Sequence, residues 1–315
     1  MTIPIKIRIL LWLINNDKGP KIYEVSAPQA RKGSAKKVQK LRTFLDYAPI
    51  QLFKVSDRNI RVRNGEIPIR IYQATDAENL PVIMFFHGGG FVLSDINSHD
   101  MVCRRIARDN KAVVISVDYR LAPEYKFPIP LHDCYDATVW ASQNAAIHKG
   151  DVSRLTVMGD SAGGNLSAAV CLMARDLGGP KIKYQVLIYP CTDGSLSSDS
   201  INKYGEGYFL TKKMMVWFIE HYKSKEEDIY SPYMSPLLAK DLTNLPPAFV
   251  FTAEYDPLKD EGRQYAERLK AAGNRVIYKD YGGLIHGFIN MPKMSKHILT
   301  VYDGIRDVLA DELKE

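Results

Sequence analysis

Residues 159–165 read G-D-S-A-G-G-N and place a serine among glycines, directly after the apolar run L-T-V-M. The run reads as a buried strand, and the small residues that follow read as a helix. A sharp turn from a strand into a helix is crowded, so glycines flank it, and it holds the serine hydroxyl out for attack. The same letters also fit an ordinary turn, but this position favours Ser161 as a nucleophile.

A second glycine-rich stretch, H-G-G-G-F at residues 87–91, follows the apolar run V-I-M-F-F. Without a Cβ, glycine lets backbone N–H groups come close to a ligand. Two of these amides, with that of Ala162 at the start of the helix after Ser161, would place three donors around a developing oxyanion. A flexible turn is the alternative interpretation of this stretch.

A serine nucleophile needs a general base, and the chain contains seven histidines. Most of the others lie in helical patterns, where histidine usually has a structural role: His99, His132, His148, His221 and His297. His286 instead lies in G-G-L-I-H-G-F, residues 282–288, a loop that we expect after the last strand. Ligands of an open α/β sheet bind outside the carboxyl ends of its strands, so His286 is the candidate base.

A carboxylate must orient this histidine, and several acids follow buried strands. Asp256 ends the stretch A-F-V-F-T-A-E-Y-D and precedes Pro257, so it also reads as the N-cap of a helix. Competing acids near the ends of strands are Asp193, Glu254 and Asp260. Asp256 is favoured, because its strand comes immediately before the strand that delivers His286 and because Pro257 fixes the turn after it. Asp193 instead leads into a polar stretch that we expect to be a flexible entry to the insertion.

The elements that would position these side chains alternate from about residue 59 onward. Residues 59–73 predict two strands around an Asn64-Gly65 hairpin turn. Continuously apolar runs then indicate strands buried on both faces: 82–86, 112–117, 155–158, 186–189, 248–252 and 276–278. Helical patterns separate them: 99–109, 131–148, 162–177, 260–272 and 296–314. This alternation predicts a mostly parallel α/β sheet covered by helices on both sides.

Two segments interrupt the alternation, and we expect them to form a helical cap over a catalytic domain at 56–315. The first is residues 1–55, and the second is the insertion at 192–245, with a helical pattern at 211–222. We expect apolar residues of both segments to pack together: Ile9, Leu10, Trp12 and Leu13 with Met214, Met215, Trp217 and Phe218. A connection as long as the insertion needs structure or a function of its own.

Composition narrows the class of protein. No apolar run reaches the 18 residues that a membrane span needs, and the N-terminus predicts an amphipathic helix rather than a secretory signal. The four cysteines are far apart and lack metal-ligand spacing, which favours reduced core cysteines and a cytoplasmic location. Neither G-x-G-x-x-G nor G-x-x-x-x-G-K-[ST] occurs, so the common nucleotide-binding loops are excluded.

The net charge of +6 is concentrated near the N-terminus, because residues 1–75 hold 15 lysines and arginines against 5 acidic residues. A basic cluster at 31–42 could meet nucleic acid or an anionic membrane surface. It lacks interleaved aromatic residues and a nucleic-acid-binding module, so we interpret it as a solvated helix face and expect no nucleic-acid partner.

Five motifs in this order resemble the hormone-sensitive lipase family of α/β-hydrolase serine esterases: H-G-G-G-F, D-Y-R-L-A-P-E (118–124), G-D-S-A-G-G-N, D-P-L (256–258) and H-G-F (286–288). The resemblance covers about residues 60–315. It implies an α/β-hydrolase fold in which Ser161 is the nucleophile, Asp256 the acid and His286 the base. It also implies an oxyanion hole from the amides of Gly89, Gly90 and Ala162, with Gly88 adjoining, and a structural role for His87.

The implied activity is that of a serine carboxylesterase, acting through an acyl-enzyme on a small-molecule ester without metal or cofactor. An amidase, a deacetylase or a true lipase would use the same triad, and a non-catalytic ligand receptor would use the same fold. An apolar acyl pocket of limited volume would suit acyl chains of about two to eight carbons. We expect that pocket from Phe209, Met214, Trp217 and Phe218. The last strand should lie at the sheet edge, which together with the resemblance suggests a homodimer.

Overall fold

A computed structural model describes residues 2–312, with side chains up to residue 310, and shows an eight-stranded sheet between two layers of helices. The strands are β1 Lys54–Val62, β2 Gly65–Gln73, β3 Leu80–Phe86, β4 Val113–Val117, β5 Gly150–Asp160, β6 Tyr184–Ile188, β7 Ala248–Tyr255 and β8 Val276–Ile285. Their spatial order is β1-β2-β4-β3-β5-β6-β7-β8. From β4 to β8 every neighbouring pair is parallel, whereas β2 runs antiparallel to both β1 and β4.

Continuous apolar runs form the centre of this sheet because both of its faces are covered. Every residue of β3, β4 and β6 is buried. Strand β1 is largely polar and exposed, and it pairs with β2 through the predicted hairpin, in which Val62 lies opposite Gly65. The mostly parallel sheet covered by helices on both sides, which the alternation predicts, is confirmed.

Helices cover the two faces and form two apolar clusters. Their bounds are α1 Ile5–Asn15, α2 Ala27–Leu45, α3 Asp100–Asn110, α4 Ile129–Asn144, α5 Ala162–Leu177, α6 Asp199–Tyr204, α7 Lys212–Tyr222, α8 Lys259–Ala271 and α9 Lys296–Glu312. One cluster joins α4, α5, α7 and α8 to the sheet. The other joins α1, α3 and α9 to it.

Strand β8 is longer than its apolar start predicts. The pattern indicated a strand at 276–278 and a loop at 282–288, but the strand continues to Ile285. It lies at the sheet edge as predicted. Its exposed polar residues Lys279 and Asp280 interrupt the apolar run, so the apolar pattern predicts only the first part of the strand. His286 therefore directly follows the strand.

Helix α1 does not pack against α7, so that expectation is wrong. Ile7, Leu10 and Leu11, spaced as one helical stripe, are buried in the cluster with α3 and α9. The start of α2 is what shares a cluster with α7, through Ala27 and Ala30. No helix in residues 2–312 is both long and apolar enough to cross a membrane. The four cysteines are buried and unpaired.

Candidate active site

Ser161 occupies the bend between β5 and α5. Its backbone angles, φ 56° and ψ −118°, are rare for a residue with a side chain and must be enforced by the surrounding chain. A Cβ on Gly163 would overlap the carbonyl oxygen of Phe86, and a Cβ on Gly159 would overlap that of Gly163. The bend therefore requires glycine on both sides of the serine, as the G-x-S-x-G pattern predicts.

The structure brings Ser161, His286 and Asp256 together, although they come from three different loops. His286 Nε2 lies 2.9 Å from Ser161 Oγ, and His286 Nδ1 lies 2.7 Å from Asp256 Oδ2. Asp256 is fully buried, and its other oxygen accepts the backbone N–H of Leu258 over 2.8 Å. With Nδ1–H donating to the carboxylate, Nε2 is left to accept a proton from the serine hydroxyl.

The three competing acids lie in other hydrogen bonds. Each accepts a backbone N–H group from its own surroundings: Asp193 from Ser195, Glu254 from Gly283 and Asp260 from Ser200. Asp193 was predicted to start a flexible entry to the insertion, but it is buried and caps a turn. The neighbouring strands β7 and β8 instead deliver Asp256 and His286 side by side, as their order along the chain predicts.

The loop after β3 offers backbone donors near the serine. In the described chain, the N–H groups of Gly89, Gly90 and Ala162 donate to no other protein group. Gly90 and Ala162 line the same cavity as Ser161. The Gly88 N–H is different, because it donates to the carboxylate that precedes Ser161 over 2.9 Å. Gly88 therefore has no free amide for an oxyanion, and its inclusion in the predicted hole is corrected.

That carboxylate, Asp160, links the two sides of the site. It is buried, and its Oδ1 accepts from Gly88 N–H and lies 3.1 Å from His99 Nε2, while Oδ2 accepts the Tyr189 hydroxyl over 3.3 Å. Burial alone would raise the pKa of Asp160, but the charge and hydrogen bond of His99 and the Gly88 amide outweigh it and lower the pKa. Sequence reasoning missed this residue and gave His99 a purely structural role.

His87 supports the same loop from behind. Its Nδ1 lies 2.8 Å from the Gly88 carbonyl oxygen, and its ring stacks on Tyr119, whose hydroxyl donates to the His87 carbonyl oxygen over 2.7 Å. Complete burial lowers the pKa of His87 to about 4, so the ring is neutral at neutral pH. The geometry agrees with the structural role that the resemblance implied.

A cavity of about 40 Å³ opens beside Ser161. Its other lining residues are almost all apolar: Gly90, Phe91, Ala162, Cys191, Leu196, Leu210, Met215, Phe218, Ile219 and Leu258. A water-sized group occupies about 10–15 Å³ on this measure, so the cavity accepts about three or four such groups. Its volume and lining would accommodate a short apolar group beside the serine.

Of the four predicted pocket residues, Phe218 lines this cavity, whereas Phe209, Met214 and Trp217 do not. Phe209 packs against Gly287, and Trp217 packs against the His221 ring. The helical spacing would have predicted the buried side of α7, whose residues recur every three or four positions: Met215, Phe218, Ile219 and Tyr222. Met214 and Trp217 lie outside this stripe, and Phe209 precedes the helix.

Comparison with known proteins agrees with this geometry. Residues 83–290 match a family described as having the alpha/beta hydrolase fold. The carboxylic ester hydrolase LipN of Mycobacterium tuberculosis is 44% identical over 243 residues, which are 75% of this chain and 65% of LipN. This chain thus spans just under two thirds of that relative. An arylesterase of Saccharolobus solfataricus is 43% identical over 250 residues, 79% of this chain and 81% of the arylesterase.

The fold is also similar to a solved structure over nearly its whole length. A hyperthermophilic esterase from the archaeon Pyrobaculum calidifontis superimposes with a TM-score of 0.90 and 41% sequence identity. The match covers 98% of each chain.

Proposed function

This chain belongs to the alpha/beta hydrolase fold family and, within it, to the hormone-sensitive lipase family of carboxylic ester hydrolases, and on that premise we propose how it hydrolyses an ester. Ser161 Oγ attacks the ester carbonyl carbon while His286 Nε2 takes the hydroxyl proton. Asp256 holds the ring through Nδ1 and stabilises the imidazolium that forms. The 2.9 Å and 2.7 Å separations in this relay are the observation that supports the proposal.

Negative charge develops on the carbonyl oxygen during this attack. The free N–H groups of Gly89, Gly90 and Ala162 donate to that oxygen, and they are fixed before the reaction starts. Collapse of the intermediate breaks the bond to the alcohol oxygen, which takes the proton from His286. The acyl group remains on Ser161 as an ester.

Water completes the cycle by the same steps. His286 accepts a proton from the water molecule as its oxygen attacks the acyl carbon, and the same backbone donors hold the second oxyanion. Collapse breaks the bond to Ser161 Oγ, which regains a proton from His286, and the carboxylic acid leaves. The steps balance without a metal ion or an organic cofactor.

Replacement of the nucleophile tests this proposal. We expect Ser161→Ala to lower the hydrolysis rate of 4-nitrophenyl acetate at least about 10³-fold, because the covalent step is lost. Circular dichroism and the melting temperature should show a retained fold. A variant that keeps more than a tenth of the activity would place the chemistry elsewhere. Hydrolysis of matched anilide substrates would indicate an amidase rather than an esterase. Hydrolysis of emulsified triglyceride would indicate a true lipase.

The acyl group of the substrate should be short. The small cavity of about 40 Å³, which Phe218 helps to line, supports the lower end of the predicted range of about two to eight carbons. Acetyl, propionyl and butyryl esters are therefore the best candidates. Faster turnover of palmitate than of butyrate esters would contradict this assignment.

The cap, the dimer and the cellular location remain predictions. Packing of Ala27 and Ala30 in one cluster with Phe218 supports a cap built from segments 1–55 and 192–245 over the catalytic domain at 56–315. The edge position of β8 supports a homodimer, which light scattering at micromolar concentration tests. Four unpaired, buried cysteines support a cytoplasmic location.

A further inference from the structure

Helix α1 is apolar on two opposite faces, and only one of them is covered. Ile7, Leu10 and Leu11 are packed into the protein. Four large apolar side chains on the other face are exposed: Ile5 at 64%, Ile9 at 48%, Trp12 at 64% and Leu13 at 49%. An uncovered apolar stripe of this kind marks an interaction surface rather than a random exposed residue.

Positive charge borders the exposed stripe on both sides. At 3.6 residues per turn, the four apolar residues fall within an arc of roughly 100°, with Lys6 beyond one edge and Arg8 beyond the other. Both basic residues are exposed. A helix that lies in a lipid interface has this arrangement, because its apolar side chains enter the acyl boundary while the basic side chains reach the headgroups.

Exposed residues of the same two kinds also follow α1 along the chain. Exposed apolar side chains are Val38, Phe44, Tyr47 and Phe53. Exposed lysines on α2 are Lys32, Lys36, Lys37 and Lys40. An ion pair of 2.7 Å between Lys37 and Asp17 ties α2 to the chain just after α1. We refer to the exposed side chains of residues 5–13 as the N-terminal face.

We propose that the N-terminal face binds a lipid surface that carries anionic headgroups. Charge complementarity selects this occupant, since Lys6 and Arg8 are exposed on both sides of the apolar stripe and each basic residue near an anionic membrane strengthens binding. A second copy of the chain would bring the same positive charge against the first and be repelled. The helix has 11 residues and is about 16 Å long, much shorter than a bilayer core of about 30 Å, so it lies on the surface.

The position of α1 connects this surface to the proposed reaction. Asn15 at the end of α1 donates from Nδ2 to the Gly207 carbonyl oxygen over 3.1 Å. Two residues later, Phe209 packs against Gly287, the neighbour of His286. Esters dissolved in a lipid layer would therefore lie next to the segment that borders the active site. This last step rests on the proposed function, whereas lipid binding does not.

Vesicle sedimentation tests the proposal on the full chain. We expect binding to vesicles of phosphatidylcholine with phosphatidylglycerol, at least about tenfold weaker binding to phosphatidylcholine alone, and loss of the difference at high salt. The double variant Ile9→Ser/Trp12→Ser should bind anionic vesicles at least about tenfold more weakly. Lys6→Gln/Arg8→Gln should lose about tenfold on anionic vesicles only.

The matched control is Leu177→Ser, which removes an exposed apolar side chain at the end of α5, outside the N-terminal face. It should bind vesicles like the wild type, and all variants should hydrolyse a water-soluble ester at the wild-type rate. Equal vesicle binding by the wild type and Ile9→Ser/Trp12→Ser would overturn the proposal. The proposal would also be overturned if the wild type does not bind vesicles but forms a dimer that becomes monomeric in Ile9→Ser/Trp12→Ser. An inactive wild type that still binds vesicles would instead refute the proposed function alone.

Discussion

Substitution of Phe218 by alanine should lengthen the acyl chain that the protein accepts. The Phe218 ring lines the cavity beside Ser161 and lies against Gly90, where a Cβ would overlap it. Removing six ring carbons makes room for about four methylene groups, and each buried methylene contributes about 0.8 kcal/mol. The upper limit is therefore about 3 kcal/mol, or about 10² in relative kcat/KM. Partial collapse of the site reduces the gain, so we expect at least a tenfold change.

The assay is the ratio of kcat/KM for 4-nitrophenyl octanoate to that for the butyrate ester. Phe218 is 8% exposed, so the variant should also lose about 3 kcal/mol of unfolding free energy, and rates should be measured well below its melting temperature. Trp217→Ala is the matched control, because the neighbouring ring lies outside the cavity, and its ratio should stay within about twofold of the wild type. An unchanged ratio in Phe218→Ala, or an equal change in the control, would refute the assignment of the cavity to the acyl chain.

Further predictions concern the acid, the positioning carboxylate and a buried ring. Asp256→Asn should lower kcat at least about 10²-fold with the fold retained, while Asp193→Asn should lower kcat less than about tenfold. The reverse order of the two effects would assign the role of the acid to Asp193. Asp160→Ala should lower kcat at least about tenfold with little change in KM, because the donor loop loses its anchor. Asp160→Asn keeps an oxygen that accepts the Gly88 N–H, so this variant should retain most of the wild-type rate. The pKa of His87 is about 4 in the folded chain and about 6.5 in the unfolded chain. Between about pH 6.5 and pH 4 the unfolded state therefore binds more protons than the folded state, so the free energy of unfolding should fall as the pH drops through this range. Urea unfolding at pH 7 and pH 4.5 should show a loss of up to about 3 kcal/mol that is absent in His87→Gln.

Much of the catalytic framework could be predicted because its signals are local. The strand, bend and helix that meet at Ser161 can be recognised from about a dozen consecutive residues. The H-G-G-G stretch after β3 is equally local. The order of β7 and β8 places Asp256 beside His286, since consecutive parallel strands are neighbours in this sheet. At the acid, the same order of strands therefore favoured Asp256 over Asp193.

Other features depend on contacts between distant residues, which the letters do not record. Helix α1 is apolar on two opposite faces, so its periodicity could not say which face enters the core. His99 reads as an ordinary residue at the start of a helix, yet it meets Asp160 across 61 positions of sequence. The Gly88 amide looked free for the same reason, because its acceptor lies 72 residues away.

The bond between Gly88 and Asp160 also decides which parts of the protein move together. Asp160 is covalently joined to the nucleophile, and through Gly88 it holds the loop that carries the other oxyanion donors. One residue of β5 therefore holds both the attacking oxygen and the donor loop in place. In the described residues Asp160 makes no hydrogen bond to the insertion at 192–245, which instead meets the donor loop through the packing of Phe218 on Gly90. A substitution in the insertion away from Phe218 therefore leaves the anchor of the donor loop unchanged.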